Sequence, residues 1–302
     1  MDASDSICRP RGGAVQLAQP LTPANSGYIL VDAGGGRRLE RFGAPIVDRP
    51  SPAAIDAPRD SGPGTDPDLR WDRSRGWQAG PGEPLDPWTI AVDGLRLELR
   101  PTETGQVGLF PEHLAMLAWL RDRVAERSGP MRPVPDALNL FAYTGLATLA
   151  LAAAGAAVAH VDGSRPTVAW ARRNAELSGL ADRPIRWLVD DARTFVGREV
   201  RRGRTHDGLV LDPPSYGHGE GGRAWRLERD LEPLLDACRA VLDARGFVLL
   251  TAHTPGFGPE RLAGMLAAHL GRPPSAVDAG ELTLDARSGA RLTLGAFARL
   301  AG

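Results

Sequence analysis

The second half of the chain alternates short apolar runs with longer stretches of helical period. Residues 137–140 are an apolar strand that runs into a turn and a helical stretch over 146–154. Residues 157–161, 185–189 and 206–211 are three further short strands, each followed by a helical pattern, and 246–250 is a fifth. In the helical stretch 231–242, Leu234, Leu235 and Val241 share a core-facing side. Strands of this length alternating with helices predict an α/β fold with an open, mostly parallel sheet, whose ligands lie at the carboxyl ends of the strands.

The first part of the chain reads differently. Residues 1–26 are polar and punctuated by Pro and Gly, the composition of a flexible tail. Residues 28–31 and 37–42 flank Gly34, Gly35 and Gly36 as a hairpin, and 88–92 and 95–100 flank Asp93-Gly94 as another, with Leu95, Leu97 and Leu99 on one face. Between them, residues 48–87 form a long Pro/Gly-rich loop that carries Trp71 and Trp77. The expected organisation is the tail, a β-rich subdomain over 27–110, and a larger α/β domain over 111–302 whose first helix follows Pro111.

Candidate chemistry sits at the strand ends. Asp212-Pro213-Pro214-Ser215-Tyr216 follows the fourth strand. Two prolines fix φ and donate no N–H, so a carboxylate and backbone carbonyls are held ready to accept hydrogen bonds from a planar amine, and Tyr216 offers a ring to stack on. Alternatively, the strand stops there only because prolines end strands. Gly145, after the first strand, allows close approach of backbone to a ligand, and Asp162 at the tip of the second is placed for ribose hydroxyls. The third strand ends in Asp190 and Asp191; Asp190 is read as the cap of the next helix and Asp191 as a ligand-binding group. The first turn lacks the Gly-x-Gly-x-x-Gly fingerprint, which argues against a dinucleotide-dependent dehydrogenase.

As a set these motifs resemble class I S-adenosylmethionine-dependent methyltransferases, and among them the bacterial ribosomal RNA large-subunit methyltransferase-like group. The matching stretches are Leu-Asn-Leu-Phe-Ala-Tyr-Thr-Gly over 138–145, Val-Asp-Gly-Ser over 161–164, Val-Asp-Asp-Ala over 189–192 and Leu-Asp-Pro-Pro-Ser-Tyr over 211–216. The resemblance implies a Rossmann-like methyltransferase fold with a seven-stranded sheet whose last strand is antiparallel. It also implies cofactor contacts from Asn139, Phe141, Tyr143, Thr144 and Gly145 on the methionine side, from Asp162, Gly163 and Ser164 at the ribose, and from Asp191 and Ala192 at the adenine. Asp212, Pro213, Pro214 and Tyr216 would then line the place where methyl meets acceptor, with Asp212 touching the cofactor as well. Relatives carry a Gly-Phe-Phe stretch near residues 108–110; only Phe110 is carried over as a cofactor contact, and His113 matches nothing in that pattern.

Composition changes the picture in three places. Basic charge comes wholly from arginine among 36 basic residues, and the formal net charge is −1, so bulk charge announces no nucleic-acid partner, and phosphate contacts fall to arginine forks or backbone N–H groups. Cys8 and Cys238 form no disulfide or metal framework, and His-Thr-Pro follows the fifth strand where pyrimidine C5 methylation would need a thiol. The reading is therefore direct methyl transfer to a nitrogen of a base in ribosomal RNA, without a metal, by a cytoplasmic protein that has no membrane span. Arg223, Arg226 and His253 are candidate substrate contacts, the two arginines from a Gly-rich loop over 217–229. Trp71 and Trp77 beside Arg70, Arg73 and Arg75 are either a base-stacking platform or anchors for the loop; anchoring is preferred. A small-molecule or protein-amide methyltransferase, or a non-catalytic cofactor-binding RNA or assembly factor, would share most of these features.

Overall fold

Residues 27–55, 66–80, 87–131, 133–217 and 224–302 are described by a computed structural model; the expected tail over 1–26 and Arg223 lie outside them. Strands β1 (Tyr28–Gly34), β2 (Arg37–Phe42), β3 (Ile46–Pro50), β4 (Leu69–Asp72) and β5 (Gly76–Ala79) form a sheet in that order, with β3 and β4 parallel and the other pairs antiparallel. The sheet is larger than the single hairpin expected, because the described part of the supposed loop is itself a hairpin. Trp71 and Trp77 are register partners across β4 and β5. The Trp77 indole donates to the Thr102 carbonyl at 2.7 Å, and the Trp71 ring lies over Gly105 so closely that a Cβ there would come within 2.6 Å of it. These rings are anchors, but they anchor strands.

The hairpin of β6 (Trp88–Val92) and β7 (Leu95–Leu99) buries Leu95, Leu97 and Leu99, as the alternation predicts. A 3₁₀ turn over Pro111–Met116 leads into α1 (Leu117–Arg127). The α/β alternation then follows: β8 (Asp136–Leu140), α2 (Leu146–Ala153), β9 (Ala157–Asp162), α3 (Arg165–Leu177), β10 (Ile185–Val189), α4 (Ala192–Arg201) and β11 (His206–Leu211). After a two-residue ladder of β12 (Tyr216–Gly217) with β13 (Trp225–Arg226) come α5 (Leu227–Val241), β14 (Leu242–Ala252), α6 (Pro259–Leu270), β15 (Val277–Asp285) and β16 (Arg291–Leu300). The fifth parallel strand, β14, is thus longer at both ends than the apolar run 246–250 suggests.

The large sheet has the order β10-β9-β8-β11-β14-β16-β15, with β16 antiparallel to both its neighbours. Alternate residues feed two cores: Leu209 and Leu211 pack against α4, α5 and α6, while Val210 faces the layer of α1 and α2. The seven-stranded Rossmann-like arrangement is the one the sequence motifs imply. Its strand order reverses between β8 and β11, which opens a crevice at their carboxyl ends. The β6–β7 hairpin packs on α3: the Trp170 indole of α3 donates to the Glu98 carbonyl at 2.9 Å, and the Glu98 N–H donates to Asn174 Oδ1 at 2.8 Å.

Candidate active site

The turn after β8 is held in a conformation that ordinary side chains avoid. Phe141 and Tyr143 both have positive φ, 56° and 47°, and Gly145 has φ 93°. For two aromatic residues this is strain of order 1–3 kcal/mol each, sustained only where surrounding contacts over-determine it. Those contacts are present. The Ala142 N–H donates to the Val161 carbonyl at 3.1 Å, the Tyr143 N–H to Asp162 Oδ2 at 2.9 Å, and the Thr144 hydroxyl to the Gly108 carbonyl at 2.7 Å. The other oxygen of Asp162 accepts from the Ser164 N–H at 2.9 Å. Burial raises the Asp162 carboxyl above its ordinary range, and these two N–H groups oppose that only in part.

A cleft of about 280 Å³ runs from Phe141 and Tyr143 past Asp162, Gly163 and Ser164 to Asp191, Ala192 and Asp212. A side chain added at Gly163 would meet only the Asp190 carbonyl, at 4.0 Å, so its backbone stands open to a ligand. Phe110, Asn139, Thr144 and Gly145 line a second, smaller pocket of about 50 Å³ that shares Phe141, Tyr143 and Asp212 with the first. Asn139 is buried, with its amide donating to the Thr148 hydroxyl at 2.8 Å. The fold thus brings the residues expected to contact the cofactor into two adjoining pockets at the strand tips.

Three placements differ from expectation. Asp191, not Asp190, caps α4: its Oδ1 accepts from the Thr194 N–H at 3.0 Å, while Asp190 pairs with Arg198. The register of the turn decides this, since a cap must precede the first helical residue and α4 starts at Ala192. Burial pushes the Asp191 carboxyl up, but Arg193 and the Thr194 N–H outweigh it and hold it below the usual range. Secondly, the Pro214 carbonyl is not free, because the Trp225 indole donates to it at 2.7 Å. Trp225 is buried and packs on Phe141 at a ring distance of 4.9 Å, a role its place in a Gly-rich loop did not reveal. Thirdly, Tyr216 is exposed at the rim, with the Arg226 guanidinium 5.8 Å from its ring, so the two residues form one patch.

Asp212 sits where β11 ends, and its surroundings could not be read from the motif. Thr251 donates its hydroxyl to Oδ1 at 2.6 Å. His253 Nε2 lies 3.5 Å from Oδ1 and His113 Nδ1 3.8 Å from Oδ2. Burial alone would raise the Asp212 carboxyl; His113, His253 and Thr251 together hold it well below the carboxylate range. The ligand atoms of His113, Asp212 and His253 fall within 4.8 Å of one another, a spacing a cation could use. The two imidazoles, however, already bond directly, with 3.1 Å between their Nε2 atoms, which engages the lone pair an ion would require. His113 was passed over in the sequence as a mismatch. Its signal was position: a polar Glu112-His113 pair just after Gly-Leu-Phe-Pro, at the mouth of a helix.

The family of S-adenosylmethionine-dependent methyltransferases matches residues 66–272, more than half of the chain. A curated relative, "Ribosomal RNA large subunit methyltransferase K/L" of Magnetococcus marinus, is 29% identical over 175 residues; the match covers 57% of this chain but only 23% of that protein. Among solved structures, a SAM-dependent methyltransferase from Agrobacterium tumefaciens superposes with a TM-score of 0.83 at 32% identity, over 92% of this chain and 91% of that one. A putative methyltransferase, SMU.776, complexed with SAH shares the fold, with a TM-score of 0.71 at 16% identity over 91% of this chain and 76% of its own. Motifs, sheet order and these matches agree, and the chain belongs to the S-adenosylmethionine-dependent methyltransferase family.

Proposed function

We propose that the protein methylates a nitrogen of a base in ribosomal RNA by direct transfer. The carrying observation is the Asp212 carboxylate, ionised and held by Thr251, at the switch point of the sheet and on the wall of the cleft. When bound, S-adenosylmethionine supplies a methyl on a positively charged sulfur, so the chain needs to hold and orient rather than to activate. In this reading Phe141, Tyr143 and Gly145 pack on the methionine part, with Phe110, Asn139 and Thr144 behind them. Asp162, Gly163 and Ser164 hold the ribose, and Asp191 with Ala192 takes the adenine. Asp212 and the Pro213 carbonyl accept hydrogen bonds from the acceptor amine, which directs its lone pair into the cleft. Alignment of this kind is worth roughly 7 kcal/mol or more of a transfer barrier in favourable cases.

Cys238, the described cysteine, supports a route without a covalent enzyme intermediate. It is fully buried on α5 and burial pushes its thiol up to about 12, so it offers no thiolate. The RNA partner is supported by the name of the Magnetococcus relative and by the Tyr216–Arg226 patch at the rim, a ring and a fork suited to base and phosphate. In the same reading residues 27–110 are the β-rich unit and 111–302 the methyltransferase domain of a cytoplasmic protein; among the described residues no helix is long and apolar enough to cross a membrane.

The test is nucleoside mass spectrometry of ribosomal RNA from cells with and without the protein. One N-methylated base that disappears with the protein, and returns on incubating that RNA with purified protein and labelled cofactor, is the expected result. Label entering only small molecules or protein would sink the RNA reading.

A further inference from the structure

Two imidazoles from different elements converge on Asp212, and the orientation of one of them, His253, is set from behind. His253, at the end of β14, has Nδ1 at 2.9 Å from the Leu294 carbonyl. A carbonyl only accepts, so Nδ1 carries a proton, and any proton on Nε2 makes this ring an imidazolium. Its Nε2 faces His113 Nε2 at 3.1 Å and Asp212 Oδ1 at 3.5 Å. Two ring nitrogens at hydrogen-bond distance share one proton: two lone pairs, or two N–H groups, would repel. With that proton on His253, His113 accepts at Nε2, carries its own hydrogen on Nδ1, and presents it towards Asp212 Oδ2 at 3.8 Å. Each carboxylate oxygen then faces one imidazole N–H.

The charges around the pair favour that state. Glu112 Oε1 lies 3.8 Å from His253 Nδ1, and Glu112 is buried, with Oε2 lacking a hydrogen-bond partner. Arg49 of β3 also feels the Glu112 charge but is itself paired with Glu40, and Glu112 still raises His253. Burial lowers His253, but Asp212 and then Glu112 overcome it and bring the ring up to about 9. Phe110 packs beside both imidazoles, with ring distances of 5.9 Å to His113 and 6.0 Å to His253, and limits their rotation.

We infer that His113 and His253 are positioning residues for methyl transfer, a proton-sharing pair that keeps the Asp212 carboxylate ionised and aimed at the acceptor nitrogen. This rests on the reading of Asp212 given above. Its consequence is that Asp212 acts as a hydrogen-bond acceptor and not as the base: as the N–CH3 bond forms and the S–CH3 bond breaks, the positive charge passes from sulfur to the nitrogen, whose proton then leaves to solvent. It also builds a pH limit into the site: once His253 loses its Nε2 proton, two lone pairs would face each other, His113 must carry its hydrogen on Nε2 instead of Nδ1, and neither imidazole N–H faces the carboxylate.

The experiment measures labelled methyl transfer to total ribosomal RNA from cells lacking the protein, with the full chain, between pH 6 and pH 10. Wild-type kcat is expected to fall above about pH 9, with KM for S-adenosylmethionine unchanged. His253→Gln, whose amide N–H replaces Nε2–H without titrating, should turn over more slowly but show no such fall, and His253→Ala and His113→Ala should lose about tenfold or more in kcat. Cofactor titration checks that each variant folds. An alkaline limb that persists in His253→Gln, or normal kcat in both alanine variants, overturns the inference. So does activity abolished by a chelator and restored by Zn²⁺, which would make the three groups a metal site. Asp212→Ala separates the two readings: if it still methylates, Asp212 is not at the acceptor, whereas an inactive Asp212→Ala beside normal histidine variants leaves that reading standing and removes this one.

Discussion

The backbone N–H of Tyr143 donates to Oδ2 of Asp162 at 2.9 Å, so the same carboxylate that faces the cleft also locks the turn after β8. Cleft wall and backbone strain are therefore one unit. In Asp162→Ala two N–H groups, of Tyr143 and Ser164, lose their acceptor, at about 1–3 kcal/mol for each that stays buried. The expected outcome is a lower melting temperature and cofactor binding weakened tenfold or more, read by calorimetry. Unchanged binding would separate Asp162 from the ribose.

Gly108 sets how closely the N-terminal unit approaches α3. It has φ +100°, and a Cβ there would fall 2.3 Å from the Trp170 ring. Trp170 cannot yield, since Glu98 holds its indole and Arg100 stacks on it at 4.1 Å. Gly108→Ala is expected to cost about 3 kcal/mol or more, from overpacking added to an unfavourable φ, seen in denaturant titration.

Cys238 tests the chemistry in the opposite direction. Its thiol packs among Leu234, Leu235 and Val241 in the core beneath β11 and β14. Cys238→Ser buries a hydroxyl and should destabilise by about 1–3 kcal/mol while the folded protein retains methyl transfer. Thiol reagents should leave the native protein active. Inactivation by them without unfolding would restore a covalent route.

The Asp212–His253 contact also makes stability depend on pH. His253 is raised to about 9, so its contribution is complete below the ordinary imidazole value, about 6.5, and is lost as pH rises through about 9. Asp212 is lowered, so its contribution is complete above the ordinary carboxyl value, about 3.9, and is lost as pH falls below it. Melting temperature against pH should carry a step on the alkaline side that His253→Gln removes. Parallel curves for the two proteins would show that the pair is not coupled in the fold.

Much of this architecture is local in origin. The alternation of short apolar strands with helical stretches, the Gly35–Gly36 and Asp93–Gly94 turns, and the Asp-Pro-Pro after β11 are statements about backbone preference and side-chain period, and both survive without knowledge of neighbours. That is why the α/β class, both hairpins, the seven-stranded order implied by the motifs and the strand tips that meet at the crevice were all legible. What surrounds those tips was not. Trp71 and Trp77 read as loop residues until β3 supplied a partner for β4, and Trp225 read as loop until Pro214 and Phe141 came within reach. His113 and His253 stand 140 positions apart, and nothing in either local pattern says that their ring nitrogens come within 3.1 Å. Strand and turn propensities act over a few residues, whereas the charge state of Asp212 depends on groups delivered by β11, β14 and the turn before α1. Only closing the sheet brings those groups together.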